Sequence, residues 1–349
     1  MDIQIKDLID RLADGHSLSI DEWIRLIEEK YDTTYLYEKA VAVREKYYGK
    51  EVFIRGLIEI SNYCKNNCTY CGIRRDNNAV DRYRLTDDLI LECVDNGYDL
   101  GFRTFVLQGG EDLSFDTNRV EALVKTIKSK YSDCAVTLSL GEKDYDDYLR
   151  WFEAGADRYL LRHETADCDH YAKLHPKEMD FYNRMRCLQD LMKIGYQVGC
   201  GFMVGSPYQT TECLAKDMQF IQNFNPHMIG IGPFISHKDT PFSEFENGTL
   251  EMTLKMIALL RLTCRKALIP ATTALGTVAP DGRERGLMVG ANVVMPNLSP
   301  TNVRDKYSLY DNKICTGEEA AECVNCLKRR VESVGYKIVV SRGDSKVNG

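Results

Sequence analysis

The sequence predicts an α/β protein built as a (β/α)8 TIM barrel with an N-terminal helical extension. Two observations support this architecture. First, after Val52, short apolar runs typical of strands alternate with amphipathic stretches of helical periodicity. Second, there are about eight such runs. Strands that alternate with helices form a parallel sheet, and eight such units are the number in a closed barrel. A doubly wound open sheet is the alternative, because the sequence does not reveal whether the sheet closes.

The elements follow in order along the chain. Residues 1–48 carry apolar and charged residues at helical spacing, as in IDEWIRLIEEKY, and predict two or three helices. The candidate strands are 52–61, 103–108, 135–140, 157–164, 197–205, 227–234, 269–275 and 291–296, and the clearest helices between them are 86–101, 145–155, 182–195 and 249–267. We therefore expect a helical extension over 1–48, a barrel over 49–300 and a C-terminal segment over 301–349.

Composition and charge limit the class of partner. The 349 residues are 44% hydrophobic and 28% charged, with a net charge of −7. An acidic globular protein lacks the broad basic surface that neutralises phosphates, so we expect a small-molecule substrate and no nucleic acid. No apolar run approaches the roughly 18 residues of a membrane span, and the N-terminus lacks the apolar centre of a signal peptide. We expect no membrane partner and a cytoplasmic location.

Polar or small residues stand at the ends of most candidate strands. In a barrel these ends meet at one rim, where active sites lie. One polar residue can simply terminate a strand, but the convergence of many on one rim predicts a site there. They are Ser61, Asn62, Gln108, Gly109, Gly110, Glu111, Ser139, Arg162, His163, Glu164, Thr272, Thr273 and Asn297.

The cysteines indicate metal chemistry. Thirteen cysteines, an odd number in a chain without a secretion signal, favour metal or redox sites over disulfides. Seven stand alone, and we expect them to be small buried hydrophobes. Cys64, Cys68 and Cys71 follow the first barrel strand at C-x3-C-x2-C spacing, so three thiolates can converge at the rim. A structural zinc needs four protein ligands, and the absence of a fourth cysteine or a histidine nearby in the sequence disfavours zinc.

This spacing, with Tyr70 before the last cysteine, resembles the signature of radical S-adenosylmethionine (SAM) enzymes. The resemblance implies a [4Fe-4S] cluster on the three cysteines, with the fourth iron open to the amine and carboxylate of SAM. Reductive cleavage would yield methionine and a 5'-deoxyadenosyl radical, which a barrel would shield from solvent. Gly109, Gly110 and Glu111 look like the family's glycine-rich element near the methionyl amine, and a plain turn is the alternative.

From about residue 50 to 326 the chain resembles the [FeFe]-hydrogenase maturase family HydE, on the strings NCTYCGIRRDN, VLQGGED, LRHETAD, GFMVGSPYQT, IGPFISHKDTP, ATTALG, GANVVMPNLSP and YSLYDNKIC. This resemblance implies a SAM site lined by Gln108, Thr137, Ser139, Glu164, Arg184, Met203 and Tyr307. It also implies that Arg162, Thr272 and Thr273 face a deeper substrate cavity and that these three and Glu164 are the catalytic residues. A carboxylate can accept hydrogen bonds from a ribose, and a guanidinium can pair with a carboxylate. Without the family, Glu164 and Arg184 could equally form ordinary ion pairs, and Met203 could be core packing.

A second cysteine group lies near the C-terminus. Cys315, Cys323 and Cys326 have C-x7-C-x2-C spacing and resemble the accessory [2Fe-2S] site of some HydE proteins. Because three ligands are visible, another group would complete the cluster. Zinc is the alternative here, since a C-x2-C pair is a common half of a zinc site.

The resemblance implies a role in assembling the hydrogenase H-cluster from a small organometallic or cysteine-derived substrate, with the maturases HydG and HydF as partners. Biotin synthase and methylornithine synthase are the alternative enzymes. Biotin synthase needs cysteines at strand ends inside the barrel, where this chain has Ser139 and the Arg162–Glu164 segment, and Cys200 should face the other side of its strand. A non-catalytic iron–sulfur carrier, which would not cleave SAM, and a structural zinc protein are the alternatives outside enzymes.

Overall fold

The computed structural model describes residues 2–314 and 324–347. Its strands are β1 (Glu51–Ile54), β2 (Gly56–Ser61), β3 (Thr104–Gly109), β4 (Ala135–Ser139), β5 (Arg158–Leu160), β6 (Gln197–Cys200), β7 (Met203–Val204), β8 (Met228–Ile229), β9 (Gly232–Pro233), β10 (Val293–Val294) and β11 (Lys337–Val339). Its helices are α1 (Ile3–Asp14), α2 (Ile20–Glu28), α3 (Thr34–Tyr48), α4 (Asp87–Asp99), α5 (Thr117–Lys130), α6 (Tyr145–Glu153), α7 (Cys168–Leu174), α8 (Phe181–Ile194), α9 (Thr211–Phe224), α10 (Leu250–Thr263), α11 (Thr273–Val278), α12 (Gly282–Met288), α13 (Thr301–Arg304) and α14 (Val324–Ser333).

The parallel strands close into the predicted barrel. Six of them form one sheet in the order β2-β3-β4-β5-β6-β8. Two segments complete the ring through backbone hydrogen bonds: Ile229 donates to Leu268, Ala271 donates to Val293, and Leu57 donates to Pro296, each at 2.9 Å. The six strands and two segments make eight parallel positions, so the open-sheet alternative is wrong.

The strands form from segments that are apolar in the sequence and buried in the structure. Every residue of β2 is buried, as expected for a strand with helices on one side and a packed barrel on the other. The helices begin at capping side chains. Thr86, Asp116 and Thr210 each accept a hydrogen bond from a backbone N–H in the first turn of α4, α5 and α9. These caps fix where each strand-to-helix loop ends, and the loops carry the rim.

The helical extension packs onto the outside of the barrel. Helix α2 contacts α9, and α3 contacts α10. Trp23 is fully buried, and Leu18 N donates to Gln222 Oε1 at 2.9 Å. Lys255 Nζ donates to Ile27 O at 2.8 Å, which satisfies an end carbonyl of α2. One hydrophobic core therefore includes the extension and the barrel helices.

Some predicted boundaries are wrong. The predicted strand 269–275 ends early, because Thr272 occupies the N-cap position of α11 and Thr273 begins that helix. The predicted strand 197–205 is broken between β6 and β7 at Gly201, where a Cβ would stand 1.9 Å from Gly230 O. Strand β11 was not predicted, although Ile338 pairs in parallel with Val52 of β1. None of the helices within 2–314 and 324–347 is both long and apolar enough to cross a membrane.

Candidate active site

The first cysteine group lies on the loop that follows β2, at the carboxyl end of the barrel. Cys64, Cys68 and Cys71 are each half-buried and carry free thiols. Burial raises the pKa of Cys68 well above its usual value, and Cys71 and Cys64 raise it further. Burial also raises the pKa of Cys71 to about 12, with a further contribution from Cys64. The structure thus brings the three thiols into one environment in which their charges affect one another.

Arg82 organises this loop, and sequence reasoning missed it. Its guanidinium is close enough to Cys64 and Cys71 to favour their thiolates. It donates hydrogen bonds to the carbonyl oxygens of Asn62, Ile73, Arg74 and Asn77 at 2.5 to 3.0 Å. A planar guanidinium with several donors can gather carbonyls in this way, whereas a lysine presents a single nitrogen. The sequence signal was weak, because an arginine in a polar loop is common.

The glycine-rich element packs against the cysteine loop. A Cβ on Gly110 would stand 2.2 Å from Tyr63 O and 2.8 Å from Cys64 Cβ, so only glycine fits. Gly110 N donates to Ser61 O at 3.1 Å, and Lys65 N donates to Glu111 O at 3.0 Å. The segment from Gly109 to Glu111 is therefore more than a plain strand-end turn, because its backbone fixes the position of the first cysteine.

The donor set fits an iron–sulfur cluster. No three His, Cys, Asp or Glu side chains among residues 2–314 and 324–347 are close enough together to hold a single metal ion. In a cluster each cysteine binds a different iron, so the sulfurs stand farther apart than around one ion. Three coupled thiols on one loop, with Arg82 beside them, are therefore compatible with a cluster and less so with a closed single-ion zinc site.

Tyr70 is anchored by a buried histidine that the sequence did not indicate. The Tyr70 hydroxyl is 3.2 Å from His175 Nε2, and His175 Nδ1 is 3.0 Å from Tyr171 O. Burial lowers the pKa of His175 to about 3, so the ring is neutral. Because Nδ1 must donate to the carbonyl, Nε2 accepts from the Tyr70 hydroxyl. This contact fixes the aromatic residue of the cysteine motif at one orientation.

Several predicted SAM-site residues lie near one another on neighbouring strands. Gln108 of β3 is paired with Ser139 of β4, and Gln108 Nε2 donates to the Tyr307 hydroxyl at 3.4 Å. Met203 belongs to a buried apolar cluster against which Tyr70 packs, so the core packing that the sequence left open is present. Thr137 lies two residues before Ser139 and faces the same side of the strand.

Several predicted site residues have buried polar atoms without a hydrogen-bond partner. Among the described residues they include Thr137 Oγ1, Arg162 Nε and Nη2, Glu164 Oε2 and Thr272 Oγ1. Arg162 Nη2 and Glu164 Oε2 are 3.1 Å apart, an ion-pair distance without the alignment of a hydrogen bond. Burying such atoms without partners is costly, so a polar ligand in this region would be stabilising.

Arg184 and Thr273, two further predicted site residues, form hydrogen bonds within the protein. Arg184 Nε donates to Glu142 Oε1 at 2.5 Å and Nη1 donates to Arg162 O at 2.7 Å. The ordinary ion pair that the sequence left open is therefore present, and it positions the Arg162 backbone. Thr273 is half-buried at the start of α11, and its carbonyl accepts from Thr277 within that helix.

The remaining cysteines largely follow the predictions. Cys93, Cys134, Cys187, Cys200, Cys213 and Cys264 are buried, whereas Cys168 is exposed at the start of α7, which corrects the expectation for that residue. Burial raises the pKa of Cys200, and the nearby Cys264 and Asp217 of α9 raise it further. Cys200 therefore faces the outer helices. In the second group, Cys315 and Cys323 lie outside the described residues. Cys326 lies on α14 and accepts from Arg329 Nη2 at 3.3 Å.

Comparison with known proteins shows the family of the chain. Residues 58–221 match the Radical SAM superfamily. The chain is 47% identical to the [FeFe] hydrogenase maturase subunit HydE of Thermotoga maritima over 302 residues, which are 86% of each chain. It is 31% identical to the 3-methylornithine synthase of Methanosarcina barkeri, over 96% of this chain and 94% of that one.

Solved structures share the fold. The crystal structure of methylornithine synthase (PylB) matches with a TM-score of 0.80 at 28% identity, over 95% of this chain and 97% of that one. A crystal structure of HydG, a maturase of the [FeFe]-hydrogenase, also gives 0.80 over 97% of this chain and 76% of that one, but at 20% identity it supports the fold alone. The cysteine loop at the barrel rim and the extent of the identity together establish that the chain is a radical SAM enzyme of the HydE family.

Proposed function

We propose that the protein cleaves SAM reductively and acts in the assembly of the [FeFe]-hydrogenase H-cluster. The observation that carries the proposal is the 47% identity to a HydE maturase over 86% of both chains, against 31% to a 3-methylornithine synthase. The match of residues 58–221 to the Radical SAM superfamily also supports an enzyme rather than an iron–sulfur carrier.

Cys64, Cys68 and Cys71 would hold the [4Fe-4S] cluster. Gly109, Gly110 and Glu111 would hold the SAM methionyl group, and the other SAM ligands would be Gln108, Thr137, Ser139, Glu164, Arg184, Met203 and Tyr307. When bound, the cluster and SAM supply a one-electron reduction of a sulfonium that yields a primary carbon radical. The protein would orient both groups and exclude water from them, and the burial of Thr137 and Tyr307 supports this role.

Arg162, Thr272 and Thr273 would face the substrate, with Glu164 nearby. Arg162 and Thr272 have guanidinium and hydroxyl atoms that are buried without a hydrogen-bond partner, and such donors suit a small substrate rich in hydrogen-bond acceptors. An organometallic or cysteine-derived compound has such groups. The participation of HydG and HydF as partners belongs to the same proposal.

The C-terminal cysteines and the remaining expectations are part of the proposal. Cys315, Cys323 and Cys326 would bind an accessory [2Fe-2S] cluster, with zinc as the alternative metal. The division into 1–48, 49–300 and 301–349 and the cytoplasmic location also stay predictions.

One assay tests the enzymatic part. The protein is reconstituted anaerobically with iron and sulfide, reduced, mixed with SAM and assayed for 5'-deoxyadenosine. We expect the product from wild type and none from Cys64→Ala, Cys68→Ala or Cys71→Ala, which should also lose iron. Cys187→Ala, a buried single cysteine, is the matched control and should remain active. If wild type forms no 5'-deoxyadenosine, or if Cys68→Ala still forms it, the proposal that the protein cleaves SAM is wrong.

A second assay tests the biological role. A host that contains the hydrogenase and its other maturases, but lacks HydE, is complemented with this chain. Restored hydrogen evolution is expected, and it should depend on Cys68. Formation of 3-methylornithine by the purified protein would instead support the alternative enzyme.

A further inference from the structure

A buried histidine–aspartate pair lies on the outer side of the barrel wall, behind the proposed site. His163 follows β5 and Asp217 lies on α9, and both side chains are fully buried. His163 Nε2 and Asp217 Oδ1 are 3.2 Å apart. The rings of Phe202 and Phe220 flank the imidazole, with centroids 5.9 and 4.8 Å away. No step of the proposed reaction uses this pair.

The hydrogen bonds define the state of the pair. Gly201 N donates to His163 Nδ1 at 3.2 Å, so that nitrogen carries no proton. The ring proton is therefore on Nε2, where it is donated to Asp217 Oδ1. The same oxygen accepts from Ala166 N at 2.5 Å. Burial lowers the pKa of His163 to about 3, which agrees with a neutral ring. The pair thus connects β6, α9 and the chain after β5.

Residues 162–166, which the hydrogen bonds of His163 and Ala166 hold in place, include two proposed site residues. Arg162 and Glu164 lie on either side of His163, and the ion-pair distance between their side chains shows that they face the same way. Glu164 has a φ of +65°, a left-handed conformation unfavourable for a residue with a side chain. Its backbone N donates to Gly201 O at 3.0 Å. A strained residue needs surrounding contacts to stay in place, and Asp217 and Gly201 supply them on both sides.

We infer that His163 and Asp217 are positioning residues that hold Glu164 and Arg162 in orientation for SAM and substrate from outside the barrel. This inference rests on the proposed function. Asp217 holds the segment in two ways, through the His163 ring and through Ala166 N. His163 in turn links it to Gly201, the residue that also accepts from Glu164 N.

The test compares variants that keep or remove these hydrogen bonds. Asp217→Ala removes the oxygen that accepts both hydrogen bonds, whereas Asp217→Asn keeps an oxygen that can accept from His163 and Ala166. His163→Gln loses the acceptor of the Gly201 N–H. Its matched control is His227→Gln, because His227 Nδ1 accepts from Val198 N, also at 3.2 Å, in strand β6, which Gly201 follows.

Four quantities are measured on the reconstituted protein: iron content, kcat for 5'-deoxyadenosine formation, KM for SAM in the same reaction, and the SAM concentration that converts the electron paramagnetic resonance signal of the reduced cluster. Asp217→Ala and His163→Gln should raise the KM for SAM and the SAM concentration that converts the signal, each about tenfold, at unchanged iron content. Asp217→Asn and His227→Gln should stay within about twofold of wild type. SAM binding by Asp217→Ala equal to wild type would overturn the inference, as would an equal loss in His227→Gln.

A measurement without the cluster separates the inference from the proposed function. Amide hydrogen exchange of residues 162–166 in the metal-free protein should accelerate in Asp217→Ala and not in His227→Gln. If wild type forms no 5'-deoxyadenosine, the proposed function fails. If wild type is active and exchange in this segment is unchanged by Asp217→Ala, the positioning role fails.

Discussion

At the scale of single residues, the cysteine loop is shaped more by backbone atoms than by charged pairs. Arg82 gathers four carbonyl oxygens, and Gly110 provides space for Tyr63 O and Cys64. A loop held in this way presents its thiols in a set arrangement before any metal binds. Such preorganisation lowers the cost of binding, because fewer groups must be ordered at that moment.

Gly110→Ala should impair cluster binding without unfolding the barrel. The new Cβ would overlap the backbone at Tyr63, so the loop must move and Cys64 moves with it. We expect the iron content after reconstitution to fall by about half or more, with a loss of stability of about 1–3 kcal/mol from the overpacking. The control is Gly230→Ala, whose Cβ would have no neighbour nearer than 3.8 Å. Equal iron content in the two variants would contradict this view.

At the scale of elements, a buried ion pair joins the segment after α13 to β2. Lys313 Nζ lies 2.5 Å from Glu59 Oε1, and both side chains are almost entirely buried. Asn297 Nδ2 donates to the other carboxylate oxygen at 2.8 Å, and Lys313 Nζ also donates to Tyr307 O at 2.8 Å. The pair therefore holds the chain around Tyr307 against the strands that carry Glu59 and Gln108.

Lys313→Met should destabilise the protein by about 3 kcal/mol, because it leaves the Glu59 carboxylate buried without its cation. Denaturant unfolding of the metal-free protein measures this change. The control Lys306→Met breaks an ion pair with the exposed Asp81 in the same segment and should cost under about 1 kcal/mol. The double variant Glu59→Met, Lys313→Met should recover much of the loss, since neither charge is then buried. A double variant less stable than Lys313→Met would refute the argument.

At the scale of the whole molecule, the C-terminal chain closes the amino end of the barrel. Strand β11 pairs with β1, and beyond it the buried Arg158 donates to Arg342 O at 2.8 Å and to Asp344 Oδ1 at 2.6 Å. Gln197 Nε2 donates to the same carboxylate oxygen at 3.0 Å. The C-terminal chain thus closes the amino end of the barrel, whereas the cysteine loop lies at the carboxyl end, where barrel enzymes have their active sites.

Asp344→Asn should destabilise the protein near neutral pH. Burial alone would raise the pKa of Asp344, but Arg342 and Arg158 outweigh it and lower the pKa to about 2. A lowered pKa in the folded state means that the carboxylate stabilises the fold above its ordinary value of 3.8, and that this contribution is lost as the pH falls towards about 2. We expect about 1–2 kcal/mol at pH 7, below the range for a fully buried pair because the Asp344 side chain is 41% exposed.

Unfolding of wild type and Asp344→Asn is compared at pH 7 and near pH 3. The difference in the free energy of unfolding should shrink at the lower pH. Asp146→Asn, a substitution at an exposed position of α6, should change little at either pH. A difference that stays constant with pH would show that the carboxylate charge is not the cause.

Local pattern by itself determined the element types, the number of barrel units and the cysteine loop. Hydrophobic periodicity is a local property, and the spacing of Cys64, Cys68 and Cys71 with Gly109 and Gly110 lies within short strings. Local pattern does not give the boundaries that long-range contacts decide, as at Thr273, where a helix begins in a run of strand-forming residues.

Only the tertiary structure decided which distant residues meet. The pairs Glu59 with Lys313, His163 with Asp217 and Arg158 with Asp344 join residues 254, 54 and 186 positions apart. No local spacing records such contacts, because they depend on how the ring of strands closes and where each chain segment returns. Barrel closure is therefore the step that converts a predictable series of strands and helices into a site whose supporting residues could not be read from the chain.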